Sequence, residues 1–131
     1  MMVNFEGRLP GAPPLHITTT VHERHVEAEL AGELDLATAP VLLAAFHCQA
    51  TARPVQVVID LRRLEFMDGA GLSALLLSTK TVSSAGGQVA LRRPGRLVRR
   101  LFEICNVAGV PGITLDDSRR PAAHSKSGTS V

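Results

Sequence analysis

The residues best suited to chemistry lie in one short turn, Phe66–Leu72, between a predicted strand and a predicted helix. Asp68 is placed to cap the helix, and Gly69 and Gly71 allow another group to approach the backbone closely. A helix start carries unpaired N–H groups and the positive end of the helix dipole. Such a turn can hold an anion, present a side chain to a partner, or serve only as a connection. No Gly-Lys-Ser/Thr sequence follows, so it is not a phosphate-binding P-loop.

Other polar residues are weaker candidates for a functional site. The pair His22 and His25 has too few companions for a metal site, which needs three or four ligands, and a polar hairpin turn is the better interpretation. Ser73 lies in no Gly-x-Ser-x-Gly motif and is expected to be a surface or lightly buried helix residue, not a nucleophile. Five arginines within residues 92–100 favour a solvated helix face, or a contact with phosphate or an acidic protein. The sequence therefore predicts no enzyme, no metal and no cofactor.

Composition narrows the class of protein. The 131 residues suit one domain, and 45% hydrophobic with 20% charged residues is typical of a globular chain. A net charge of +2 and four aromatic residues, all Phe, argue against nucleic-acid binding. No apolar run reaches the roughly 20 residues of a membrane span, and no signal peptide is visible, so a cytoplasmic protein is expected. Cys48 and Cys105 are predicted to be reduced, buried apolar residues.

The elements that must position the turn follow from periodicity. Strands are predicted at Leu15–Val21, His25–Gly32, Val55–Leu61, Gln88–Leu91 and Gly112–Leu115, and helices from Thr38 to about Gln49, from Asp68 to Gly86, and over Arg96–Cys105. Residues 62–67 are predicted as a loop, and Leu97 and Ile104 are expected to face inward. The order ββαβαβαβ predicts an α/β fold, a mixed β-sheet of four to five strands with helices packed on it. Residues 1–12 are predicted as a flexible leader and 118–131 as a disordered tail.

Seven segments of the chain together match the sequence motifs of one known protein family. They are Gly32–Pro40, Val57–Leu61, Phe66–Asp68, Gly71–Leu76, Gly86–Gly87, Val98–Ile104 and Asn106–Val110. In order and spacing they resemble the STAS domain family, specifically the bacterial anti-sigma factor antagonists. The resemblance covers about residues 13–117, and it implies that this stretch is a STAS domain with the STAS fold.

That resemblance implies a function and a surface. Antagonists of this family bind a kinase-type anti-sigma factor, and phosphorylation of a serine at the start of the second helix breaks the complex. The implied partner-binding residues are Glu33, Asp35, Thr38, Asp68, Gly69, Ala70, Gly71, Leu72 and Ser73. The chain departs from the family at the switch, because Ala70 occupies the position equivalent to the phosphoacceptor and Gly69 that of the neighbouring serine. Alanine has no hydroxyl group, so the usual switch cannot operate there.

Three hypotheses follow. The first is an antagonist that regulates transcription by binding its anti-sigma factor regardless of ATP. The second is a degenerate STAS module that acts as a scaffold, or as a sensor of nucleotides or small anions, in a regulatory assembly. The third places the phosphorylation on another hydroxyl, such as that of Ser73.

Overall fold

The computed structural model describes residues 2–7, 14–23, 25–50 and 56–116. The elements in these ranges are β1 (Met2–Gly7), β2 (Leu15–His22), β3 (His25–Leu34), α1 (Ala39–Ala50), β4 (Gln56–Met67), α2 (Gly69–Ser84), β5 (Gln88–Arg92), α3 (Arg96–Ile104), a 3-10 turn (Val107–Gly109) and β6 (Ile113–Asp116). The strands form one sheet in sequence order. β1, β2 and β3 pair antiparallel, whereas β3 to β6 pair parallel. The predicted mixed α/β fold is confirmed.

In the ranges described, no helix is long and apolar enough to cross a membrane.

The predicted leader contains a strand that the periodicity did not predict. β1 pairs antiparallel with β2, from Met2 opposite Thr20 to Gly7 opposite Leu15. The sheet therefore has six strands, one more than the upper end of the expected four to five, and residues 2–7 belong to it. Pairing with β1 gives hydrogen-bond partners to backbone N–H and C=O groups of β2 that would otherwise be unpaired at an exposed sheet edge. The tail over 118–131 lies outside the described residues.

β4 continues through Arg62–Met67, where a loop was predicted. Two register shifts against Glu29–Glu33 of β3 each insert one extra residue into β4. As a result Leu61, Leu64 and Met67 are buried at a spacing of three, with exposed pairs between them. A regular strand with one buried face buries every second residue. Because the bulges change this spacing to three, the sequence pattern did not predict a strand here. The extension carries β4 to the residue directly before the α2 cap.

One apolar core lies between the sheet and the helices. The helical contribution comes from Leu42, Ala45 and Phe46 of α1, Leu72, Leu75 and Val82 of α2, and Val98 and Phe102 of α3. The sheet contributes fully buried residues from β2 to β5, among them Ile17, Leu30, Ile59 and Leu91. This shared core fixes the start of α2 relative to the ends of β3 and β4.

The inward-facing prediction for α3 is wrong at both ends of the helix. Leu97 and Ile104 are 67% and 70% exposed, and only Val98 and Phe102 are buried on this helix. Cys105 is also exposed as a free thiol, so its predicted burial is wrong. A short helix with apolar residues on two adjacent stripes can bury only one of them, and the sequence pattern does not say which. The side chain of Cys48 lies outside those described.

Candidate partner-binding surface

The start of α2 is built by the cap that the sequence predicts. Asp68 has extended backbone angles, and its Oδ1 accepts a hydrogen bond from the Gly71 N–H at 2.8 Å. Its carbonyl accepts from the Leu72 N–H at 2.8 Å. The carboxylate thus satisfies an unpaired helix donor and lies at the positive end of the helix dipole. Because this negative group already occupies the helix start, the turn is a poor site for a free anion.

Gly71 brings α2 into direct contact with the end of β3. A Cβ atom placed on Gly71 would lie 2.1 Å from the backbone oxygen of Leu34, a distance that no real Cβ contact reaches. The same carbonyl accepts from the Asp68 N–H at 3.3 Å. Glycine is required here for close approach, and its backbone φ is not in the left-handed region. The two predicted motifs, one after β3 and one before α2, therefore meet at Leu34.

The turn after β3 is held by its own side chains. Oδ1 of Asp35 accepts from the N–H groups of Ala37 and Thr38 at 3.0 and 3.1 Å. The buried Thr38 hydroxyl donates to the Glu33 carbonyl at 2.8 Å and accepts from the Asp35 N–H at 3.0 Å. Thr38 directly precedes α1, but its hydroxyl ties the turn back to β3. These bonds rigidify the turn and leave the side chain at its tip, Leu36, 76% exposed.

The predicted site residues fall into three groups by burial. Thr38, Gly71 and Leu72 are buried, so they support the exposed residues around them and are themselves shielded from solvent. Gly69 and Ser73 are exposed, whereas the remaining predicted residues, Glu33, Asp35, Asp68 and Ala70, are half-buried. Nothing lies within 4 Å of where a Gly69 side chain would start, so this position is open to a partner.

Two exposed apolar residues were missed by sequence reasoning. Leu36 lies two residues beyond Leu34, and Phe66, 41% exposed, lies beside Met67, which is the register partner of Leu34. The available signal was an apolar residue directly after an acidic one, Leu36 after Asp35 and Phe66 after Glu65, but exposure depends on tertiary packing. The surface defined here as the α2-start surface consists of Leu36, Phe66, Gly69, Ala70 and Ser73. Each lies within two residues of the Leu34–Gly71 contact in sequence or in strand register.

The other polar candidates are used within the fold or stay isolated. His25 Nε2 lies 3.3 Å from Glu27 Oε2, and the described residues hold no group of three His, Cys, Asp or Glu able to bind a metal. Two members of the arginine run are engaged by carboxylates: Arg92 Nε lies 3.3 Å from Asp116 Oδ2, and Arg93 pairs with Asp60. The run is therefore not one continuous basic patch.

The comparisons with known proteins agree with this geometry. The family model described as Mlab, STAS domain, matches residues 17–115. The anti-sigma-B factor antagonist of Listeria monocytogenes is 26% identical over 99 residues, covering 73% of this chain and 87% of that protein.

Two solved structures share the fold. The anti-sigma factor antagonist SpoIIAA in its unphosphorylated form superimposes with a TM-score of 0.65 at 22% identity, covering 88% of this chain and 99% of that chain. The Bacillus cell fate determinant SpoIIAA in its phosphorylated form gives a TM-score of 0.61 at 21% identity, covering 79% of this chain and 92% of that chain. With three quarters of its length matched by the family model, the chain belongs to the STAS domain family, and anti-sigma factor antagonists are among its relatives.

Proposed function

We propose that this protein is an anti-sigma factor antagonist without the serine phospho-switch, acting in the cytoplasm. The observation that carries the proposal is Ala70, which occupies the phosphoacceptor-equivalent position at the start of α2 and has no hydroxyl group. Its relatives are named for antagonism of anti-sigma factors, and one structural neighbour is described in both phosphorylated and unphosphorylated forms. The protein acts by binding a kinase-type anti-sigma factor and performs no catalysis itself.

The mechanism follows from charge at the α2-start surface. A phosphoryl group adds about −1.5 to −2 charges and bulk, which disrupts an interface by desolvation and repulsion. Asp68 directly precedes Gly69 and Ala70, and its carboxylate is engaged by its own helix through the Gly71 N–H. The surface therefore keeps the small, apolar character of an unphosphorylated antagonist at all times. ATP consumption by the partner leaves this character unchanged.

Leu36 and Phe66 provide the apolar contact area of the proposed interface. Binding energy in protein interfaces is concentrated in a few apolar or aromatic anchors that become desolvated. Leu36 suits this role because the Asp35–Thr38 bonds hold its turn in place, which lowers the entropy lost on binding. Ser73 extends the surface one turn along α2.

The test is capture of purified kinase-type anti-sigma factors from the same host on immobilised protein, with and without ATP, followed by intact mass spectrometry. The expected result is capture of one such factor, unaffected by ATP and without a mass increase. Capture that ATP abolishes, together with a phosphate-sized mass gain, would contradict the missing switch and point to a hydroxyl such as Ser73. Failure to capture any factor would overturn the antagonist proposal. Calorimetry with GTP and ATP would then test the sensor hypothesis.

Replacing Leu36 by aspartate should weaken partner binding at least tenfold while leaving the unfolding midpoint within error. The side chain is 76% exposed, so its removal changes no core contact, whereas a charge at an interface anchor must be desolvated. Titration calorimetry with the captured anti-sigma factor measures the affinity. The matched control is Leu77→Asp, a 55% exposed leucine further along α2. Equal loss in both variants would argue against a specific role for Leu36.

A further inference from the structure

A second exposed apolar surface lies on α3, a different helix from the one that carries the α2-start surface. Leu97 and Ile104 are seven residues apart, nearly two full helical turns, so they lie on one line along the helix. Both are largely exposed, and the half-buried Leu101 lies beside the line between them and joins it to the core. This set, called here the α3 stripe, is about 10 Å long at 1.5 Å per residue.

A row of positive charge borders the stripe on its solvent side. Arg96 and Arg100 are exposed, and neither takes part in the ion pairs formed among the described residues. Arg99 differs, because its Nη2 donates to the Pro94 carbonyl at 3.3 Å. Glu103 is the one acid of α3, against three arginines. An apolar line flanked by arginines matches a partner helix with an apolar line and flanking carboxylates, as in coiled-coil pairing.

We propose that the α3 stripe, together with Arg96 and Arg100, is a docking site for an acidic amphipathic helix of another protein. Charge complementarity selects this occupant. A second copy whose α3 packs antiparallel across a two-fold axis would place the arginine rows of the two chains against each other, which is repulsive. Residues 117–131 of the same chain carry one acid, Asp117, against Arg119, Arg120 and Lys126, so they lack the required charge. The site lies outside the proposed anti-sigma factor interface and implies a second partner.

The experiment places the photo-crosslinking residue p-benzoylphenylalanine at position 97 of the full chain, in cells that naturally produce it. The exposed site accepts this apolar side chain without disturbing the core. After irradiation, the crosslinked peptide is sequenced. The expected product joins position 97 to a segment of another protein with apolar residues at helical spacing and flanking Asp or Glu. The synthetic peptide of that segment should then bind the purified chain in a fluorescence anisotropy titration.

Charge reversal provides the matched controls. Arg96→Glu with Arg100→Glu should reduce the crosslink and the peptide affinity at least tenfold. Arg62→Glu with Arg63→Glu, the same change at exposed positions of β4, should reduce neither. Ala70→Glu should leave the crosslink intact, so loss of the anti-sigma factor interaction and loss of this one are separable. The proposal would be overturned by a crosslink to a second copy, to phospholipid or to a segment without acidic residues. A crosslink that persists after charge reversal of Arg96 and Arg100, or the absence of any crosslink, would also overturn it.

Discussion

Replacing Ala70 by glutamate is expected to weaken binding of the proposed kinase-type anti-sigma factor by about thirtyfold or more. A charge desolvated in an interface without a partner costs about 2–5 kcal/mol, and each 1.4 kcal/mol is a factor of ten. Ala70 is half-buried in the first turn of α2, between the exposed Gly69 and the buried Gly71, so a partner on this surface covers it. Glutamate there imitates part of the charge and bulk of a phosphoryl group.

The fold should tolerate this change. A carboxylate in the first turn of a helix interacts favourably with the helix dipole, so the unfolding midpoint of Ala70→Glu should not fall. Titration calorimetry gives the affinity, and urea unfolding gives the stability. Thr81→Glu, the same charge at an exposed position near the other end of α2, is the control and should bind normally. Unchanged affinity in Ala70→Glu would show that the start of α2 is outside the interface.

Ala70→Ser completes the same test by restoring a hydroxyl group. Without ATP this variant should bind like the natural chain, because serine adds only one small polar group. With ATP and a partner that retains kinase activity, it should gain a phosphate-sized mass and dissociate. An Ala70→Ser variant that is phosphorylated yet remains bound would contradict the role assigned to charge at this position.

Replacing Gly71 by alanine is expected to produce the largest loss of stability among changes at the site. The added Cβ would meet the Leu34 carbonyl oxygen at 2.1 Å, and both groups are backbone-anchored, so α2 or the end of β3 must move. Overpacking of this kind costs about 1–3 kcal/mol, occasionally more. The shift would also displace the α2-start surface relative to Leu36, so partner binding should weaken together with stability.

Gly69→Ala is the matched control for Gly71→Ala. Both glycines lie in the first turn of α2, but a Cβ on Gly69 meets nothing within 4 Å. Replacing glycine by alanine in a helix interior stabilises the helix by about 0.5–1 kcal/mol, and at Gly69, the first residue of α2, a smaller change of the same sign is expected. Urea unfolding should therefore give opposite signs for the two variants. A destabilisation of Gly69→Ala as large as that of Gly71→Ala would mean that backbone entropy or capping, and not contact with Leu34, determines the effect.

The sequence by itself determined much of the α2 cap and the order of the elements. Asp68 before two glycines predicts a capped helix start, and the Asp68–Gly71 hydrogen bond follows that prediction. These features are local: a cap involves residues three positions apart, and strand and helix patterns repeat within a few residues. The family motifs around Asp35 and Asp68 likewise predicted the STAS fold, and the family model matches residues 17–115.

Tertiary structure alone decided which residues are accessible and which support them. The polar groups of Asp35 and Thr38 form hydrogen bonds within the turn after β3, and Leu36 at its tip is left exposed. Gly71 is fixed by the carbonyl of Leu34, 37 positions earlier in the chain. On α3, the sequence presents two adjacent apolar stripes, and packing buries Val98 and Phe102 while leaving Leu97 and Ile104 in solvent. Periodicity predicts on which face of its own helix or strand a side chain lies. Whether that face is exposed depends on which other element packs against it. That packing is determined by contacts between distant parts of the chain.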